Sequence, residues 1–395
     1  MPHPFPANDR FAYPEPDDGR DLRLDFLRGL IMIYVIIVHM EYYSLLSMFA
    51  WGRLGLVSSA EGFVSLSGLV LGLVCQRRLA REGMQATFRK LWQRSWQLYK
   101  AHVVVILSIA LLGLIPFLDL FELTHWWVPT HRDQAYALYP PPGTHWLELL
   151  KQAVLLRIGP HQYQIIGLYV ILIAVAPIAV YALHKGKTRW LLGASWALYA
   201  LNAWLHLRPS GARFEYAFPL LTWQLIFFHG MALGWHREKV LPLITRIPAI
   251  PLAAAGMALF FVFIALNAPH PLFWNGPTLS LIPAETFHSL YGNWFQKTPL
   301  GLGRLLNNLA LFIIAYYLLS RYWRIAHKGL GWLVIPLGQA SLYVFTVHIY
   351  VILLVSNTPL PGYDSLWINT LLHVGAILLI WWMVKQRVLF GIIPR

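Results

Sequence analysis

Two segments place ionisable residues inside otherwise apolar sequence. The first reads Leu24-Asp25-Phe26-Leu27-Arg28-Gly29 and then runs apolar to His39. On a helix, at 100° per residue, Asp25, Arg28, Met32, Val35 and His39 share one stripe. Arg28 and His39 are eleven residues apart, a rise of about 16 Å, so one helix face carries a guanidinium near one end and an imidazole near the other. The second segment reads Ser58-Ser59-Ala60-Glu61-Gly62-Phe63-Val64-Ser65-Leu66-Ser67-Gly68. Here Glu61, Ser65, Gly68 and Gly72 fall on one face, acidic at one end and small below. A carboxylate that orients an imidazole and balances its charge makes it a general base, so His39 and Glu61 form a candidate catalytic pair.

Each of these residues also has a plainer role open to it. Arg28 at a helix end marks topology, with Asp25 as its ion-pair partner. Ser65, Gly68 and Gly72 suit close helix packing. Packing does not account for Glu61, because an ionisable group in a bilayer costs several kcal/mol unless it faces the bundle interior. Weaker candidates follow at Gln162, Tyr163, Gln164, Trp223, Gln224, Asn307, Asn308 and His348, residue types that commonly hydrogen-bond between helices. No dinucleotide or phosphate-binding glycine motif occurs in a strand–turn setting, and G-x-S-x-G is absent. No Cys/His spacing resembles a metal-ligand set, and the single cysteine, Cys75, excludes internal disulfides.

The elements that must position these residues are membrane helices. Of 395 residues, 57% are hydrophobic and only 12% charged, with a mean hydropathy of +0.53. Soluble domains carry about 25% charge. Several stretches of about twenty residues are nearly free of charge, the length that crosses a bilayer. A soluble enzyme is excluded, as is a membrane protein with a large globular domain. The net charge of +14 sits in short clusters that alternate between apolar spans, a topology signal that argues against a nucleic-acid groove.

Hydropathy and loop charge together predict an all-α polytopic bundle of about ten transmembrane helices with both termini cytoplasmic. The first span is expected from Phe26 to Met48 and the second from Val57 to Cys75. A basic segment follows, holding Arg77, Arg78, Arg81, Arg89, Lys90 and Arg94, and then a third span from Leu98 to Leu118. Residues 1–20 are polar and proline-rich with no apolar core, which predicts a disordered cytoplasmic tail and no signal peptide. Residues 21–395 form a single transmembrane domain with long outer loops near 119–160 and 267–300. Those loops hold His125, Trp126, Trp127, His131, Trp146, Trp274, His288 and Trp294. Such aromatics anchor a protein at headgroup level or pack against sugar rings.

The segments from Arg20 to Gly29 and from Glu61 to Gly68 resemble the hallmark motifs of the OpgC family, membrane succinyltransferases of osmoregulated periplasmic glucans. The resemblance extends through Gly167-Leu168-Tyr169, Pro219-Leu220-Leu221-Thr222-Trp223-Gln224 and Leu337-Gly338-Gln339-Ala340-Ser341-Leu342, and so covers nearly the whole chain. The family sits within the wider acyltransferase-3 group, in which an Arg precedes a His by eleven residues in the first span, as Arg28 precedes His39. Ser65 departs from the bulky residue expected at its position.

The resemblance implies acyl transfer from cytoplasmic succinyl-CoA to a glucan hydroxyl outside the inner membrane. His39 matches the catalytic base, Glu61 the acidic position of the family, Arg28 and Asp25 the donor-side pair, and His348 a second histidine of the wider group. Arg77 and Arg78, in the basic segment, are candidates to hold the CoA phosphates, although ordinary cytoplasmic charge is the favoured account of most of that segment. No metal is implied, and no residue by itself selects a succinyl over an acetyl group. Direct transfer and an acyl-His39 intermediate both remain open. The competing class is a transporter or flippase of an anionic or sugar substrate, but the two halves show no matching broken helices. A scaffold for glucan export leaves the His39 and Glu61 constellation without a role. The sequence is silent on oligomeric state.

Overall fold

Helix α1 (Leu22–His39) starts where Asp21 caps it, its Oδ1 accepting from the Arg23 N–H at 3.1 Å. It stops at His39 and does not continue to Met48 as hydropathy suggests. The reason is local: Glu41 has φ 57°, a left-handed conformation that a right-handed helix does not contain. Irregular backbone follows, then a 3₁₀ turn over Leu45–Phe49. Helix Leu366–Lys385 satisfies it: Asn369 Nδ2 donates to the Tyr43 carbonyl at 2.9 Å, and Thr370 Oγ1 accepts from the Leu45 N–H at 3.0 Å. Away from water, irregular backbone persists only with such partners.

These coordinates are a computed structural model and describe residues 11–14, 20–50, 52–128, 131–141, 143–269, 277–361 and 365–393, with the backbone alone described at 127, 128 and 131–134.

Helix α2 (Ser59–Leu112) is 54 residues long and holds two arms separated at Gly83 (φ 80°, ψ 178°). The next elements are short: α3 (Phe121–Thr124), an antiparallel hairpin of β1 (His125–Val128) and β2 (His131–Ala137), and α4 (Trp146–Val154). Then come α5 (Ile165–His184), α6 (Thr188–Leu205) and α7 (Leu220–Trp235). Along the first arm of α2, Gly68 and Gly72 meet the Phe227 and Met231 carbonyls of α7, while Gly230 and Gly234 meet Ser65 and Leu69. A Cβ at any of these four positions would fall 1.9–2.2 Å from a backbone oxygen, so the small face foreseen on this helix is what lets the two backbones touch. The numbering of these contacts makes the first arm parallel to α7. The second arm runs antiparallel to α5, with Ser95 Oγ on the Val170 carbonyl (2.7 Å) and Trp92 Nε1 on that of Ala174 (3.1 Å). Because α5 and α7 are each antiparallel to α6, the two arms of α2 run in opposite directions.

Helices α8 (Arg237–Arg246), α9 (Ala249–Leu266) and α10 (Ala284–Leu290) lead to α11 (Leu302–Arg321) and the single turn α12 (Trp323–Ala326). Then α13 (Trp332–Gln339) bends by 91° into α14 (Ser341–Ser356), and α15 (Leu366–Lys385) closes the described chain. Gly29 and Gly338 make α13 cross α1 in backbone contact: a Cβ on Gly29 would sit 1.9 Å from the Val334 oxygen, and one on Gly338 1.8 Å from that of Asp25.

The fold is therefore all-α apart from the hairpin, the only strands among the described residues. Five helices are long and apolar enough to cross a membrane, within Ser59–Leu112, His161–His184, Ala249–Leu266, Leu302–Arg321 and Leu366–Lys385; the bent pair Trp323–Gln339 and Ser341–Ser356 makes a sixth if counted as one span. The expected number is about ten. The difference lies in α2, which holds two expected spans in one element, in α1 with three charges, in α7 with only sixteen residues, and in α6, which is not among the helices apolar enough to cross. The tail expected to be disordered is docked where it is described: the Tyr13 N–H donates to the Ser320 carbonyl (3.0 Å) and the Arg324 N–H to that of Phe11 (3.2 Å).

Candidate active site

His39 closes α1, and its ring meets a second histidine. His39 Nδ1 lies 2.8 Å from His348 Nε2, with the rings stacked at 5.1 Å and 26°. The other nitrogen of His348, Nδ1, is 2.8 Å from the Phe345 carbonyl. A carbonyl only accepts, so His348 Nδ1 carries a proton and, in the neutral ring, its Nε2 is the acceptor. His39 Nδ1 is therefore the donor of the pair. Among the described residues, that leaves the lone pair of His39 Nε2 without a protein partner, on a side chain that is only half-buried. A neutral imidazole oriented in this way offers an open lone pair, the arrangement that general-base chemistry needs.

Eleven residues earlier on α1, Arg28 Nη2 donates to Ser341 Oγ, at the start of α14. One helix thus serves both ends of the α1 stripe, Ser341 beside Arg28 and His348 beside His39. Among the described residues, buried Arg28 Nε has no partner. Asp25 is not its ion-pair partner. Its two oxygens take a fork from Arg20, Nε at 2.7 Å and Nη2 at 3.1 Å. Of the basic segment, Arg94 is the residue close enough to Arg28 to feel its charge. Arg78 pairs with Glu82 at 3.5 Å, and Arg77 lies among Arg81, Arg237 and Glu238. Arg77 and Arg78 are thus not brought to Arg28.

The expected pairing of His39 with Glu61 is not formed. Glu61 is fully buried, and both its oxygens are engaged elsewhere. Oε1 accepts from Arg304 Nε at 2.6 Å and also from Arg304 Nη2. Oε2 accepts from the Ser58 N–H at 3.0 Å and from its hydroxyl, a capping box that starts α2. Glu61 thus neutralises a buried guanidinium and ties α2 to α11, and Asn308 Nδ2 adds a bond to Ser65 Oγ at 3.1 Å. The place beside His39 that depth along the helix assigned to Glu61 is taken by His348, 309 residues away in the chain.

Four residues escaped the sequence reading. Arg304 lies one turn into α11. Glu41 and His161 form a second acid–imidazole pair (Oε1 to Nε2, 2.9 Å) within electrostatic reach of His39. Lys297, in the turn before α11, also lies within that reach. Of the outer-loop aromatics, Trp126, Trp146, His288 and Trp294 are exposed, and His125 stacks on Phe121 at 4.6 Å. Trp274 and the side chains of Trp127 and His131 lie outside the described residues. Among the described residues, no group of three or more His, Cys, Asp or Glu side chains is arranged to hold a metal ion.

Helices long and apolar enough to cross a membrane, arranged around a paired histidine, are consistent with the class of membrane proteins that hold a polar site inside a helical bundle. The family model described as "OpgC protein" matches residues 20–390, and the chain belongs to the OpgC family. Membership points to an acyltransferase acting on periplasmic glucan. No curated protein matches the sequence.

Proposed function

We propose that the protein moves a succinyl group from cytoplasmic succinyl-CoA to a hydroxyl of osmoregulated periplasmic glucan. The reading rests chiefly on the ordered line from the Phe345 carbonyl through His348 to His39, which leaves His39 Nε2 as the open base. It removes the proton of the glucan hydroxyl while that oxygen attacks the thioester carbonyl. The new C–O bond forms, the C–S bond breaks, and the CoA thiolate takes the proton back from His39. His348 accepts a hydrogen bond from His39 throughout and stabilises its imidazolium. Glu61 acts at one remove, holding Arg304 and the start of α2.

CoA phosphates do not enter lipid, whereas the acceptor lies outside. Arg28, with an unpartnered Nε, and nearby Arg94 suit the charged end of the donor through charge-assisted bonds. The acyl arm then spans the distance of about 16 Å to His39 along the α1 stripe. Arg77 and Arg78 add positive charge for the same nucleotide from farther out. About ten spans, cytoplasmic termini and residence in the bacterial inner membrane complete the proposal, supported by the Lys and Arg clusters between apolar segments.

The test incubates purified protein with succinyl-CoA and periplasmic glucan, following free CoA thiol and glucan mass. Succinyl gain that disappears in His39→Ala is expected. Thiol release and mass gain that are unchanged in His39→Ala would overturn the assignment of the base, and no transfer by the folded wild type would overturn the reaction.

A further inference from the structure

Glu61, Arg304 and Lys297 interact through their charges. Glu61 spends both oxygens on Arg304 and Ser58, so this group keeps one positive charge in excess, on Lys297. Among the described residues its ammonium makes no hydrogen bond or ion pair, and its one recorded contact is the Phe218 ring, 5.5 Å to the centroid. The Lys297 side chain is solvent-accessible, so a charged ligand can reach its ammonium. The turn that carries it is fixed: Trp223 Nε1 donates to the Thr298 carbonyl at 3.2 Å, Arg304 Nη1 to that of Phe295 at 3.2 Å, and Gly301 has no room for a Cβ against Trp294. Lys297 also lies within electrostatic reach of His39.

We propose that Lys297 is the counter-ion for the free carboxylate of the acyl group, and so selects a dicarboxylic acyl donor over a neutral one. The inference rests on the acyl-transfer reading above. Two methylenes separate the thioester carbonyl of a succinyl donor from its carboxylate. With the carbonyl at His39, that carboxylate is set against Lys297, a cation within electrostatic reach of the base that has no bonded anion among the described residues. A neutral acyl chain leaves the same ammonium uncompensated.

The experiment compares succinyl-CoA with butyryl-CoA, which has a methyl group where succinyl has the carboxylate, using one glucan preparation. Wild type is expected to favour succinyl-CoA in kcat/KM by about tenfold to a hundredfold, the scale of one hydrogen bond to a charged group at a solvent-accessible site. In Lys297→Met that preference disappears while butyryl transfer persists, and Lys297→Arg retains it. Butyryl transfer by Lys297→Met also reports that the variant is folded. Equal loss with both donors would overturn the inference and place Lys297 at the reacting carbonyl. An unchanged preference would overturn it as well. If wild type transfers from neither donor, the acyl-transfer reading fails with it, a result distinct from transfer without discrimination.

Discussion

His39 and His348 are joined nitrogen to nitrogen at 2.8 Å, and the Phe345 carbonyl fixes which of them donates. The pair is therefore asymmetric. A proton arriving at His39 Nε2 finds its charge stabilised through Nδ1 by a neutral imidazole, in the position a carboxylate takes in many acid–base sites. Two buried carboxylates, Glu41 and Glu61, are already engaged by His161 and Arg304.

His348 should act as a positioning residue, which gives the first prediction. His348→Ala leaves His39 free to rotate and to change tautomer, so kcat should fall by about 10²–10⁴, the range attributed to a correctly placed base. KM for the donor should stay near wild type, because Arg28 is untouched. His348→Gln retains an acceptor for His39 Nδ1 and should recover part of the rate. Steady-state kinetics on the three proteins decide the matter; a rise in KM with unchanged kcat would place His348 in donor binding instead.

The buried pair of Glu61 and Arg304 carries the second prediction. Glu61→Gln leaves a guanidinium uncompensated, and Arg304→Gln leaves a carboxylate, at a cost of about 3–5 kcal/mol each. The double variant Glu61→Gln/Arg304→Gln should cost less than the sum of the two, with a coupling of about 0.5–3 kcal/mol. Thermal unfolding of all four proteins in the same nanodisc measures the cycle. Strict additivity would mean that the two side chains act independently.

Much of the site could be read from residue types and helical spacing. The stripe from Asp25 to His39 lies on one helix, and Gly68 and Gly72 make the close approach that small residues permit. Spacing along a helix reports which residues share a face, but not which distant segment faces them. It paired Asp25 with Arg28 by proximity, whereas Arg20 and Ser341 take those places. It paired Glu61 with His39 by depth, without sight of Arg304, 243 residues from Glu61. Hydropathy ran the first span past Glu41, because a single charge barely alters a window average, while one left-handed residue ends a helix.

The crossing of α1 and α13 leads to the third prediction. Gly338→Ala or Gly29→Ala puts a methyl group within 2 Å of a backbone oxygen on the other helix, so the helices must separate. Overpacking of this kind costs about 1–3 kcal/mol. Because α13 leads into α14, separation also shifts Ser341 and His348, and transfer should fall with stability. Gly256→Ala and Gly375→Ala, where nothing lies within 4 Å, serve as controls expected to leave melting temperature and activity near wild type or slightly higher. Equal melting temperatures for Gly338→Ala and wild type would contradict the crossing.

Tyr13 supplies a pH-dependent prediction at the docked tail. Its hydroxyl accepts from the Leu22 N–H at 2.9 Å and donates to the Arg20 carbonyl at 3.3 Å. Burial first, and then the Asp21 charge, push its pKa up to about 12 from an ordinary 10.0. The folded protein thus favours the neutral phenol. That stabilisation is fully present below pH 10 and is lost as pH rises through 12. Phenylalanine has nothing to titrate, so the stability advantage of wild type over Tyr13→Phe should be constant from pH 7 to 9 and shrink steadily from pH 10 to 12. Chemical unfolding at matched ionic strength follows the difference. An advantage independent of pH across that range would assign the contribution of Tyr13 to its ring alone, packed against Trp323 at 4.9 Å and beneath the Arg23 guanidinium at 4.1 Å.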